Sequence, residues 1–169
     1  RSTLFPYTTL FRSSYLFVMG KGCFLRAGTV KEIFADPVYK EAAILTGCKN
    51  IARAARRDDH TIEVLSWGIT LHTSCILPPQ FSCIGYRAHD FVPVYGGRME
   101  NCIRFAHYEK AELPFEVNYY VAPEKEEWKR EEILSWFVQR EDWPLLREKG
   151  VPDYLQFQED KILFLREGL

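Results

Sequence analysis

Several signatures are absent from this sequence, and each absence removes a class of function. There is no GxxxxGK[ST] and no GxGxxG, so the chain encodes no phosphate-cradling loop. Gly20-Lys21-Gly22 lacks the preceding glycine and the following Ser or Thr, and reads as a turn. There is no HxxxH or HExxH. The four histidines, His60, His72, His89 and His107, are far apart and read as surface or strand residues rather than metal ligands. There is no CxxC. Five cysteines (Cys23, Cys48, Cys75, Cys83, Cys102) are an odd, scattered set, which predicts reduced thiols in a cytoplasmic protein, several buried as small apolar residues. No apolar run approaches the roughly 20 residues a bilayer requires, which predicts a soluble chain. Neither charge dominates, with 22 Lys+Arg against 23 Asp+Glu. That balance provides no pervasive basic field for nucleic acid.

What is present is enough apolar material for a core. At 169 residues, 47% hydrophobic and 15% aromatic, the chain fits one compact domain or two small ones sharing a core. Disordered, collagenous and disulfide-dense classes are excluded on composition. Thr3–Ser13, TLFPYTTLFRS, resembles the in-frame translation of a short-read sequencing adapter. Residues 1–13 are therefore read as an artefact with no docking site of their own, and the chain from Ser14 onward as the C-terminal part of something longer. Without Arg1 and Arg12 the 22 basic residues become 20 against 23 acids, net −3.

From Ser14 the chain reads as a hairpin around Gly20–Gly22, then a helix over Val30–Ala35 with Thr29 as N-cap and Glu32 completing a capping box. Asp36-Pro37 separates it from a second helix, Val38–Thr46, closed by Gly47. Beyond Gly47 the period changes. Short β segments are predicted at 51–56, 61–66, 69–73 and 82–87, and longer ones at 99–108 and 114–121. Residues 123–139, charge-dense with Trp128 and Trp136, predict an amphipathic helix. Two closing strands fall at 153–157 and 162–165. The fold class expected is mainly β with a few helices: a small antiparallel barrel or sandwich over 48–169, preceded by the hairpin-and-helix segment 14–47.

Three stretches carry more than secondary structure: GTVKEIFADP (28–37), EAAILTGCKN (41–50) and GYRAHDF (85–91). With Leu65–Ile69 and the closing YLQFQEDKILFL (154–165), their order and spacing resemble the C-terminal part of ATP-binding subunits of ATP-binding-cassette importers, most closely the molybdate-type ones. The resemblance runs from about Tyr15 to the C-terminus. It implies that 14–47 is the end of a nucleotide-binding domain. It also implies that 48–169 is an oligomer-binding-fold-like regulatory domain at the cytoplasmic face of the membrane. The implied partners are a second copy of the subunit and a permease. ATP and Mg²⁺ would be bound by the phosphate, signature, Walker B and switch motifs, none of which this chain carries. No ATP hydrolysis and no catalytic residue are therefore expected of it.

The candidate ligand site is a set for a tetrahedral oxyanion, molybdate or tungstate: Lys49 and Asn50 beside the flexible Thr46–Asn50 amides, Arg87 as a bidentate grip, and His89 as a donor. The competing structural assignment pairs Arg87 with Asp90 and leaves Lys49 and Asn50 to cap the helix end. Two other functions compete with the importer reading: a free-standing oxyanion-binding storage or sensor module, and an enzyme using Cys48 or Cys83 with His89, which no motif supports.

Overall fold

The computed structural model describes residues 14–124 and 128–168, apart from the side chain of Glu131. The expectation for residues 1–13 lies outside these. Strand β1 (Tyr15–Gly20) and strand β2 (Cys23–Thr29) form the hairpin. Its turn places Lys21 at φ 48° and Gly22 at φ 80°, and two left-handed residues in succession match the right-handed twist of the flanking strands. Helix α1 (Val30–Ala35) starts on the expected capping box: Glu32 N donates to Thr29 Oγ1 at 3.2 Å, and Thr29 N donates to Glu32 Oε2 at 2.8 Å.

Helix α2 (Lys40–Leu45) begins two residues later than its sequence pattern suggests. Val38 sits at φ 61°, and Tyr39 is extended, bridging in parallel to Arg166. Arg166 N donates to Val38 O at 2.8 Å and Lys40 N to Arg166 O at 2.9 Å. This tertiary pairing delays the helix. The C-terminus behaves as expected, with Gly47 at φ 87°, Gly47 N donating to Ile44 O and Cys48 N to Ala43 O.

The remaining strands form two five-stranded antiparallel sheets. One has the order β12-β6-β3-β4-β5, built from β3 (Asn50–Arg56), β4 (Thr61–Val64), β5 (Ile69–His72), β6 (Cys83–Tyr86) and β12 (Leu163–Leu165). The other has the order β10-β9-β8-β11-β7, built from β7 (Val92–Val94), β8 (Cys102–Glu112), β9 (Glu116–Pro123), β10 (Leu134–Gln139) and β11 (Tyr154–Gln156). Their inner faces share one core containing Ile62, Ile84, Tyr86, Ile103, Val121, Leu134 and Leu155. The fold is mainly β with few helices, as expected. The sheets stay open and do not close into a barrel.

The helix expected over 123–139 is corrected: Leu134–Gln139 is strand β10, preceded by a 3-10 turn at Arg130–Glu132. Leu134, Trp136 and Val138 alternate into the core, a period of two that the surrounding charge obscured. Residues 125–127 of that expectation lie outside the described residues. The helix of this region is instead α3 (Trp143–Lys149), with Pro144 in its first turn. Among the described residues no helix is long and apolar enough to cross a membrane.

The segment 14–47 has a small core of its own, with Val18, Ile33 and Ala42 packed with Leu16, Leu25 and Tyr39. One residue further along α2, Ala43 joins Cys48, Cys83 and Leu165 in a second cluster against the sheet. Adjacent alanines thus make α2 a thin spacer between hairpin and sheet.

Candidate functional site

The GYRAHDF stretch ends β6 and turns the chain toward the second sheet, and each of its residues has a distinct structural job. Gly85 lies where α2's cluster packs on the sheet: a Cβ there would stand 2.9 Å from Leu165 Cδ1 and 3.1 Å from Cys48 Sγ. Tyr86 is fully buried among Phe91 and Phe157, ring centroids 4.7 and 4.8 Å away. Its hydroxyl donates to Asp90 O at 3.0 Å and accepts from Gln158 N at 2.8 Å. Burial raises the Tyr86 phenol well above its ordinary value. Ala88 O accepts from Phe137 N at 2.8 Å, tying the corner to β10.

Arg87 is the joint. Its Nη1 donates to Thr46 O at 2.8 Å and its Nη2 to Phe34 O at 2.7 Å. The guanidinium also lies 5.6 Å from the Phe34 ring centroid. Phe34 closes α1 and Thr46 caps α2, so one cation satisfies carbonyls at the ends of both helices, where the helix dipoles concentrate negative partial charge. Arg87 therefore pairs with main-chain carbonyls, in place of the Asp90 carboxylate that the sequence offers as its alternative partner.

The other candidates fall around the same corner. Asn50 opposes Tyr86 in the β3–β6 ladder, which places Lys49 and Arg87 at the same end of it. Lys49 is exposed. Asn50 is buried and exchanges two hydrogen bonds with the backbone of Ser135 in β10. His89 is exposed, with Nε2 3.7 Å from Asp90 Oδ1. It lines a cavity of about 250 Å³ together with Phe91, Tyr95, Trp136, Phe137 and Asp142. Lys49, Asn50, Arg87 and His89 share a neighbourhood and face different surroundings. With the Asp142 carboxylate among its aromatic walls, the cavity does not suit a free tetrahedral anion, which would lose hydration and meet a like charge there.

The three buried thiols, Cys48, Cys83 and Cys102, are not poised for nucleophilic chemistry. Burial pushes Cys48 up to about 11, overcoming the opposing pull of Arg87, and raises Cys83 and Cys102 likewise. Cys48 Sγ contacts Asn50 O at 3.4 Å rather than His89. Among the described residues no group of three or more His, Cys, Asp or Glu could hold a metal ion.

No protein-family model matches the chain, and no curated protein matches it.

Proposed function

We propose that this chain is the C-terminal regulatory and dimer-stabilising part of the ATP-binding subunit of a molybdate-type ATP-binding-cassette importer. In this reading residues 14–47 end the nucleotide-binding domain and the two-sheet unit is its accessory domain. The observation that supports it is the convergence at Arg87. The three stretches that carry the resemblance are distinct segments of the chain. Yet GYRAHDF supplies the guanidinium, GTVKEIFADP supplies Phe34 O, and EAAILTGCKN supplies Thr46 O. Such a joint mechanically links the end of one domain to the start of the next, which a regulatory domain requires. Loading of the β unit would be felt at the ends of α1 and α2 through one rigid pair of charge-assisted hydrogen bonds.

The wider assignment rests on that reading. The parent subunit would bind ATP and Mg²⁺ through upstream motifs, pair with a second copy of itself, and sit peripherally on the cytoplasmic face of the membrane against a permease subunit. Molybdate or tungstate would act as its regulatory ligand. The test is the genomic reading frame upstream of the Ser14 codon. A GxxxxGK[ST] phosphate loop followed by a Walker B carboxylate in the same frame is the expected result. A frame that opens without them sinks the proposal and makes the free-standing oxyanion-binding module the better reading.

A further inference from the structure

A cleft of about 590 Å³ lies away from the Arg87 corner. It opens on the outer face of the first sheet, where α2, β3 and the 3-10 turn before β10 meet. Three cations from three separate elements line it: Lys40 of α2, Arg53 of β3 and Lys129 beside the 3-10 turn. Lys40 Nζ is 3.6 Å from Glu167 Oε1, an exposed pair of little energetic weight. Arg53 and Lys129 are both exposed. The Glu132 carboxylate at the rim accepts from the Lys129 backbone N–H at 2.6 Å. Ile51, Ala52 and Leu65 supply an apolar wall, and Cys83 beneath them is a neutral thiol, raised by burial against the pull of both Lys40 and Arg53.

We infer that this cleft is a binding site for a small phosphomonoester, its phosphoryl group held by Arg53, Lys129 and Lys40 and its organic portion resting on Ile51 and Leu65. Among the described residues three cations line the cleft beside the Glu132 carboxylate, and Glu167, outside the lining, is a weakly held counter-ion that an incoming dianion displaces from Lys40. Arg53 offers the planar fork that phosphate oxygens accept in pairs, and the two lysines act as point charges. The volume is in the range of sites that enclose a whole organic molecule and one wall is apolar, which disfavours a bare tetrahedral anion. This inference does not rest on the proposed importer function, since every residue it uses belongs to the described chain. Occupancy would tie α2, β3 and the lead into β10 together, so binding reads out as stability.

The experiment is calorimetric titration of the 169-residue chain with phenyl phosphate and with inorganic phosphate at matched ionic strength, alongside melting temperatures. Saturable binding is expected, tighter for phenyl phosphate and accompanied by a rise in Tm. Arg53→Ala and Lys129→Ala should each weaken it about tenfold or more. Arg57→Ala, an exposed arginine outside the cleft, should leave it unchanged. Both cleft side chains are exposed, so the variants should keep the parent Tm without ligand. Absence of saturable binding, or equal affinity in Arg53→Ala, overturns the site. Equal weakening by Arg57→Ala reduces it to diffuse charge and overturns it too. Tighter binding of inorganic phosphate than of phenyl phosphate overturns the organic ligand.

Discussion

Asn50 and Ser135 complete each other's hydrogen bonding between the two sheets: Asn50 Nδ2 donates to Ser135 O at 2.9 Å, and Ser135 N donates to Asn50 Oδ1 at 2.6 Å. Asn50 belongs to the first strand after α2, Ser135 to an edge strand of the opposite sheet, and Asn50 is 2% exposed. Removing the amide leaves a donor and an acceptor of β10 unpaired where water has little access. Asn50→Ala should therefore cost about 2–4 kcal/mol in denaturant unfolding.

Asn50→Asp separates the two bonds. A carboxylate still accepts from Ser135 N but faces Ser135 O with a second acceptor, so burial and this repulsion raise its native pKa above the unfolded value. A raised native pKa contributes stability below the unfolded value, and that stability is lost as pH rises through the native one. The variant should thus be least stable at neutral pH and recover toward the parent at mildly acidic pH, where its protonated oxygen can donate to Ser135 O. A parallel pH response in parent and variant would contradict this.

Arg87→Ala should loosen 14–47 without unfolding the sheets. Two charge-assisted hydrogen bonds to helix-terminal carbonyls are lost, worth about 2–3 kcal/mol together in a partly buried setting. Hydrogen exchange should speed in α1 and α2 while the amides of β3, β6, β9 and β10 keep their protection. Uniform loss of protection would mean that hairpin, helices and sheets unfold as one cooperative unit.

Local chemistry is the most legible part of the sequence. The hairpin turn, the Thr29–Glu32 box and the Gly47 cap each depend on residues within four positions of one another, and each forms as read. The 123–139 helix fails because helix-favouring charges outnumber a period-two signal only six residues long, Leu134–Gln139. Strand β7 escapes a sequence reading because Pro93 sits inside it, which is tolerated because β7 is at the sheet edge. The cations of the cleft are invisible for a different reason. Lys40, Arg53 and Lys129 share no spacing, and only tertiary packing brings them together. Arg87 stands out in the sequence as a multidentate cation, but nothing local reveals that its acceptors are Phe34 O and Thr46 O, 53 and 41 residues away.

Gly85→Ala should destabilise the docking of α2 on the sheet. The new methyl would meet Leu165 Cδ1 at 2.9 Å and Cys48 Sγ at 3.1 Å, both in buried side chains that cannot swing aside into solvent. An overpacking cost of about 1–3 kcal/mol is expected. In a double-mutant cycle with Leu165→Ala, the combined loss should be smaller than the sum of the two, since the vacated volume accepts the added methyl. Additive losses would show that the clash is relieved some other way.

The buried thiols set a direction for alkaline behaviour. Cys48 is held at about 11 against an ordinary thiol at 9.0, chiefly because burial disfavours the thiolate. The native pKa is raised, so its contribution is fully present below the unfolded value and lost as pH climbs from about 9 toward 11. A shift of that size corresponds to roughly 2–3 kcal/mol at most. Stability measured by urea unfolding should fall across that window, and Cys48→Ala should flatten part of the fall. Tyr86, raised in the same sense, leaves the remainder in place. Alkylation gives an independent check at neutral pH. Iodoacetamide should modify the exposed Cys23 and Cys75 while Cys48, Cys83 and Cys102 stay protected until the chain unfolds. Rapid native labelling of Cys48 would mean that the α2–sheet joint opens far more often than its packing implies.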